Sequence, residues 1–166
     1  MKQNSWRLLC AFIVTTVTSL HATAPIQNRY CDELNEVLSE NTANLPSPPV
    51  NDYIDKLCLD ILRAAAPENA TIIQITATDF PRLSDFIKSC CDEQKMSVPR
   101  LFLSLDDNDI DVKFCTYDLE GGLLLHKKTF ETFSTRVFRG YLQQTLLRMN
   151  KQFSTHAEQL AQRKGK

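Results

Sequence analysis

Apolar residues recur at intervals of three and four along much of the chain, the spacing that lines one face of a helix. From about Asn28 to Glu40, Tyr30, Leu34, Val37 and Leu38 share a face, and Asp32, Glu33, Glu36 and Glu40 are read onto the other. Asn41 to Pro49, rich in Asn, Ser and Pro, reads as a linker. A second helix is predicted from about Asn51 to Ala66, with Tyr53, Ile54, Leu57, Cys58 and Ile61 inward. Asn51 or Asp52 caps it and Pro67 stops it. A third opens at Thr78 or Asp79 with Pro81 in its first turn. Its inward residues are Leu83, Phe86, Ile87, Cys90 and Cys91, and it ends near Gln94. The last helix is the longest, from about Lys128 to Phe153. Phe130, Phe133, Val137, Phe138, Tyr141, Leu142 and Thr145 form a wide apolar stripe, opposite a narrow polar one of Thr132, Arg136, Arg139, Gln143 and Asn150.

Between these helices the pattern changes. Thr71 to Ala77 is rich in β-branched residues and predicts a short strand. Leu101 to Leu105 is apolar without a break and fits a strand or a short helix. Val112 to Tyr117 and Leu123 to Lys127 read as strands on either side of a turn at Gly121-Gly122.

The first residues belong to a different pattern. Lys2 and Arg7 precede an apolar run from Leu8 to Leu20, shorter than the roughly 20 residues a spanning helix needs. Ala22 offers a small residue for cleavage. Residues 1–22 are therefore expected to be a signal peptide, 23–153 one domain and 154–166 a polar tail. The protein is expected to be secreted and extracellular, with no membrane span once the leader is removed.

Composition narrows the function classes. The chain is 43% hydrophobic and 23% charged, which is globular, and its formal net charge of -1 favours neither nucleic acid nor an anionic membrane. Its 4 glycines do not build a phosphate loop. Export permits disulfides, which makes Cys31, Cys58, Cys90, Cys91 and Cys115 candidate disulfide cysteines. Of the six cysteines, Cys10 is lost with the leader, and the five that survive cleavage are an odd number, so one thiol is free or pairs between chains, and the pairing stays open. Asn69-Ala70-Thr71 is a candidate glycosylation site at Asn69.

Candidate chemistry is sparse. Asp107, Asp109 and Asp111 alternate as in a calcium loop, yet Val112 and Asp118 stand where an EF-hand requires Gly and Glu, so a solvated turn is expected. His126 and His156 lack metal-ligand spacing, and there is no HExxH, GxSxG or CxxC motif. No metal, cofactor or catalytic residue is expected, and the protein is read as a binder rather than an enzyme. What remains is surface: an acidic stripe of Glu33, Glu36 and Glu40, and a polar stripe of Arg136, Arg139 and Gln143.

This pattern resembles the short-chain four-helix-bundle cytokines, the group of interleukin-2, interleukin-4 and granulocyte–macrophage colony-stimulating factor. The resemblance rests on a leader, a domain of the right size, amphipathic helices with long connections, and cysteines at helix edges. It rests also on the sequence Thr129-Phe130-Glu131-Thr132-Phe133 opening the last helix after a strand. It implies a mainly α fold, a short-chain four-helix bundle with short strands in the crossovers. It implies a secreted ligand that brings cell-surface receptor ectodomains together, with Glu33, Glu36, Glu40, Arg136, Arg139 and Gln143 as receptor-binding candidates. In one respect the chain departs from that family: its clearest early strand follows the second helix instead of the first. The alternative is a secreted enzyme inhibitor or carrier on a small α+β domain, in which the strands form a true sheet.

Overall fold

The computed structural model describes residues 28–40, 53–105, 108–117 and 119–164. The predicted signal peptide and the Asn41–Pro49 linker lie outside them. The described helices are α1 (Tyr30–Glu40), α2 (Tyr53–Ala64), α3 (Pro81–Glu93), α4 (Lys127–Thr132) and α5 (Thr135–Lys164). The strands are β1 (Ile72–Gln74), β2 (Arg100–Ser104), β3 (Lys113–Tyr117) and β4 (Glu120–His126). The four strands form one mixed sheet in the order β1-β2-β4-β3. β1 runs antiparallel to β2, β2 parallel to β4, and β3 antiparallel to β4. The chain is therefore an α+β domain, and the expected mainly α four-helix bundle is corrected: the segments read as crossover strands are the centre of the molecule.

The central strands explain why. Leu101-Phe102-Leu103 and Leu123-Leu124-Leu125 are apolar at every position, the signature of strands covered on both faces. Alternate residues go to opposite sides of the sheet. Leu101, Leu103, Leu123, Leu125 and Ile73 enter the larger core with residues of α1, α3, α4 and α5. Phe102, Leu124, Ile72 and Cys115 enter a smaller core closed by Cys58, Leu59 and Leu62 of α2. The pairing Leu101↔Leu123, Phe102↔Leu124 and Leu103↔Leu125 keeps the two sets apart.

Four local expectations are also corrected. Gly121 and Gly122 lie inside β4, not in the turn. They permit close approach: a Cβ at Gly121 would stand 2.5 Å from Met149 Cε, and one at Gly122 would stand 3.1 Å from Cys58 Cβ. The last helix is broken by Phe133, which is extended at φ -106 and ψ 141. The Ser134 carbonyl accepts the Phe138 N–H at 2.9 Å and the Ser134 hydroxyl accepts that of Val137 at 3.3 Å, which restarts the helix as α5. α5 then continues to Lys164, through most of the stretch expected to be a polar tail. Finally, the inward faces of α2 and α5 are rotated from those predicted. Tyr53, Ile61, Val137 and Tyr141 are exposed, while Leu59, Leu62, Leu146 and Met149 are buried.

Candidate functional site

The two predicted surface stripes do not stand as open faces. Glu33 is 3% exposed. Its carboxylate accepts the Arg82 N–H at 2.8 Å and the Leu83 N–H at 2.9 Å, at the start of α3. Phe80, the N-cap residue of α3, supplies no side-chain cap. A carboxylate from α1 satisfies those orphan amides instead and meets the positive end of the helix dipole. Glu33 is thus a tie between two helices, and only Glu36 and Glu40 of that stripe are exposed.

On α5, Arg139 is hydrogen-bonded to Glu93 of α3, and the Gln143 amide donates to the other Glu93 oxygen at 2.7 Å. Asn150 of the same stripe donates to the Gln94 carbonyl at 3.0 Å. The polar stripe is largely the seam between α5 and the end of α3. Arg136 alone of the three candidates is exposed with no partner among the described residues.

At the carboxyl ends of the parallel strands β2 and β4, where open α/β sheets commonly place their sites, Ser104 stands opposite His126. Asp109 lies close enough to feel the His126 ring. The trio has the residue types of a hydrolase, but Ser104 and His126 are both fully buried, and a nucleophile must be reached by its substrate. Asp109 is committed to structure. Although partial burial opposes its ionisation, the Lys113 ammonium at 2.6 Å, the Asp111 amide at 3.0 Å and the His126 ring hold its carboxyl at about 2. Among the described residues no three ligand-type side chains gather where a metal ion would sit.

Asn69 is exposed in the turn between α2 and β1, open to modification. All five candidate disulfide cysteines are buried and carry free thiols. Burial pushes Cys90 up and Cys91 up to about 12. Cys58 is pushed up by its hydrogen bond to Cys115 and by burial. The same hydrogen bond draws Cys115 down, against burial.

The feature that sequence reasoning missed is a cleft. Among the described residues β3 is the last strand of the sheet, so half of its backbone groups have no strand partner there. Beside it α5 presents Arg148, Lys151, Gln152, Thr155, His156 and Gln159, which recur at helical spacing on one face. With Phe114, Thr116 and Tyr117 of β3 they line an open cleft of about 720 Å³. A second hollow of about 490 Å³ continues it past the end of α2, sharing Phe114 and Arg148. Thr116 donates to Gln152 at 3.0 Å across the floor. Phe114 and the partly exposed Tyr117 give an apolar wall. Arg148 and Lys151 are exposed and have no carboxylate partner among the described residues, and no acidic side chain lines the larger hollow. The sequence signal was present in the continued period of α5 beyond Phe153, but the segment was read as a tail.

No family model, curated protein or solved structure matches this chain.

Proposed function

We propose that the protein is an exported binding domain of the inhibitor or carrier type, which engages an acidic, extended segment of an extracellular partner in the cleft between β3 and α5. One observation carries the reading: among the described residues, a strand edge without a strand partner lies beside an apolar wall and a helix face bearing two cations with no carboxylate partner. An extended segment can add to the edge through its backbone, while pockets alongside select its side chains. Carboxylates on the segment complement Arg148 and Lys151, and an apolar residue packs on Phe114 or Tyr117. Export rests on the leader at residues 1–22, with Lys2 and Arg7 before the apolar run.

The sheet favours this reading over a receptor-clustering cytokine, since Glu33, Arg139 and Gln143 of the helix faces such a ligand would use are engaged within the chain. A receptor ectodomain and a soluble protein are both partners of the proposed class, and binding to whole cells as against conditioned medium separates them.

The test is panning of random displayed peptides on the purified chain. Sequences enriched in Asp and Glu around an aromatic or branched residue are expected. Arg148→Glu with Lys151→Glu should weaken their binding at least tenfold, an effect that shrinks as salt rises, with folding unchanged. Peptides without acidic bias, or equal binding by the double variant, would contradict the reading.

A further inference from the structure

The smaller core holds two thiols on different elements. Cys58 sits on α2 and is fully buried, and Cys115 sits on β3 and is 6% exposed. Cys115 Sγ lies 3.8 Å from the Cys58 carbonyl oxygen, within reach to donate to it. Gly122 of β4 is the partner of Cys115 in the sheet register. A Cβ there would stand 3.1 Å from Cys58 Cβ and 3.3 Å from Cys115 Sγ. Both cysteine side chains therefore occupy the hollow that the missing Cβ of Gly122 leaves. Two residues 57 positions apart in sequence thus meet at one buried point, Cys115 Sγ against the backbone and Cβ side of Cys58.

The other three cysteines among the described residues are placed differently. Cys90 and Cys91 are neighbours on one helix, and adjacent helical positions point in different directions. Cys31 lies on α1, where it accepts the Asn35 amide at 3.7 Å, and both α1 and α3 pack on the opposite side of the sheet from α2.

We propose that Cys58 and Cys115 are an oxidisable pair that closes a single disulfide between α2 and β3, with a small-molecule or protein disulfide such as oxidised glutathione as the oxidant. Cys115 gives up its proton and its thiolate attacks one sulfur of the oxidant, breaking the S–S bond. One glutathione leaves as a thiolate and takes up a proton; the other stays on Cys115 as a mixed disulfide. The deprotonated Cys58 then attacks the Cys115 sulfur and expels the second glutathione, which is protonated in turn. Two protein thiols are oxidised and one glutathione disulfide is reduced to two thiols. Cys115 makes the first attack because it is the sulfur an oxidant can reach: it is 6% exposed, whereas Cys58 is fully buried. Both sulfurs are buried once α2 is seated, so the bond forms as α2 docks and resists reduction afterwards. The pairing is independent of the proposed cleft and of export.

Trypsin separates the two cysteines onto the peptides 57–63 and 114–127, which makes the test direct. The full chain is refolded in a glutathione redox buffer, denatured with an alkylating agent and digested. The two peptides should appear joined, two hydrogen masses lighter than their sum, while Cys31, Cys90 and Cys91 carry the alkyl label. The oxidised protein should melt on the order of 10 °C above the reduced one. Cys115→Ala and Cys58→Ala should each abolish the joined species and the shift. Recovery of both peptides alkylated, or joined to Cys31, Cys90 or Cys91 instead, would overturn the pairing, and the unmutated chain alone decides it.

Discussion

The two faces of the sheet are built on different scales. On one, five strand residues meet helices α1, α3, α4 and α5, and a chain of rings runs through the core. Tyr30 contacts Phe86 at 4.9 Å, Phe86 contacts Phe138 at 5.9 Å, and Phe138 contacts Phe130 at 4.7 Å. On the other, a single helix of 12 residues, α2, closes a core in which two of the seven buried residues are cysteines. The first face defines the fold, because loss of any helix there opens several contacts at once. The second is one helix deep, so it is where a covalent tie between α2 and the sheet has most to add.

The sharpest contrast is between Phe138 and Leu62. Phe138→Ala removes the ring that joins Phe86 to Phe130 and should cost about 3–5 kcal/mol, a large share of a total of roughly 5–15. Leu62→Ala, on the small face, should cost nearer about 2–3 kcal/mol. Urea unfolding of the two variants checks this; equal costs would make the two faces equivalent.

Next comes Glu33, the tie between α1 and α3. Glu33→Gln keeps the shape but removes the charge and turns one of the two acceptors into a donor facing an N–H group. A loss of about 1–3 kcal/mol is expected, and α1 should exchange its amides faster than the rest of the large face. A variant as stable as the parent would return Glu33 to the surface.

A smaller effect concerns pH. Asp109 titrates at about 2 in the folded chain, below its ordinary 3.8. Its contribution is therefore fully present above about pH 4 and is lost as pH falls through about 2. Melting temperature followed over that window should fall less steeply for Asp109→Asn than for the parent. The same slope in both would remove the Lys113 and Asp111 contacts from the account.

The smallest effect is expected at Val137, whose neighbour Phe138 carries the largest. Val137 is 44% exposed, so Val137→Asp should change stability by no more than about 0.5 kcal/mol. Unfolding of that variant would mean α5 packs on the face read from sequence.

That last pair shows where the sequence was legible. Most elements were found, with ends within a few residues except for the last helix, because turn residues and Pro67, Pro81 and Pro99 punctuate the chain, whereas nothing marks a stop at Phe153. The phases of α2 and α5 were not. From Tyr53 to Leu62, and from Val137 to Leu147, apolar residues cover more than half the helix circumference, so composition does not say which face is inward. Sheet formation itself was underread because Leu101–Leu103 and Leu123–Leu125 carry no alternation; strands buried on both sides show none. Glu33 follows Tyr30 by three and precedes Val37 by four, a spacing that places it on the buried face, but a carboxylate there signals a cap only once α3 is seen to need one. The cleft was invisible for a different reason: it depends on β3 being an edge, a property of strand order.

The most direct measurement of that cleft is hydrogen exchange on the full chain with and without a selected acidic peptide. Protection should appear in 113–117 and 148–159 together, with the amides of β1 at the opposite edge unchanged. Protection confined to α1 or the Arg136 region, with β3 exchanging as in the free protein, would contradict the account.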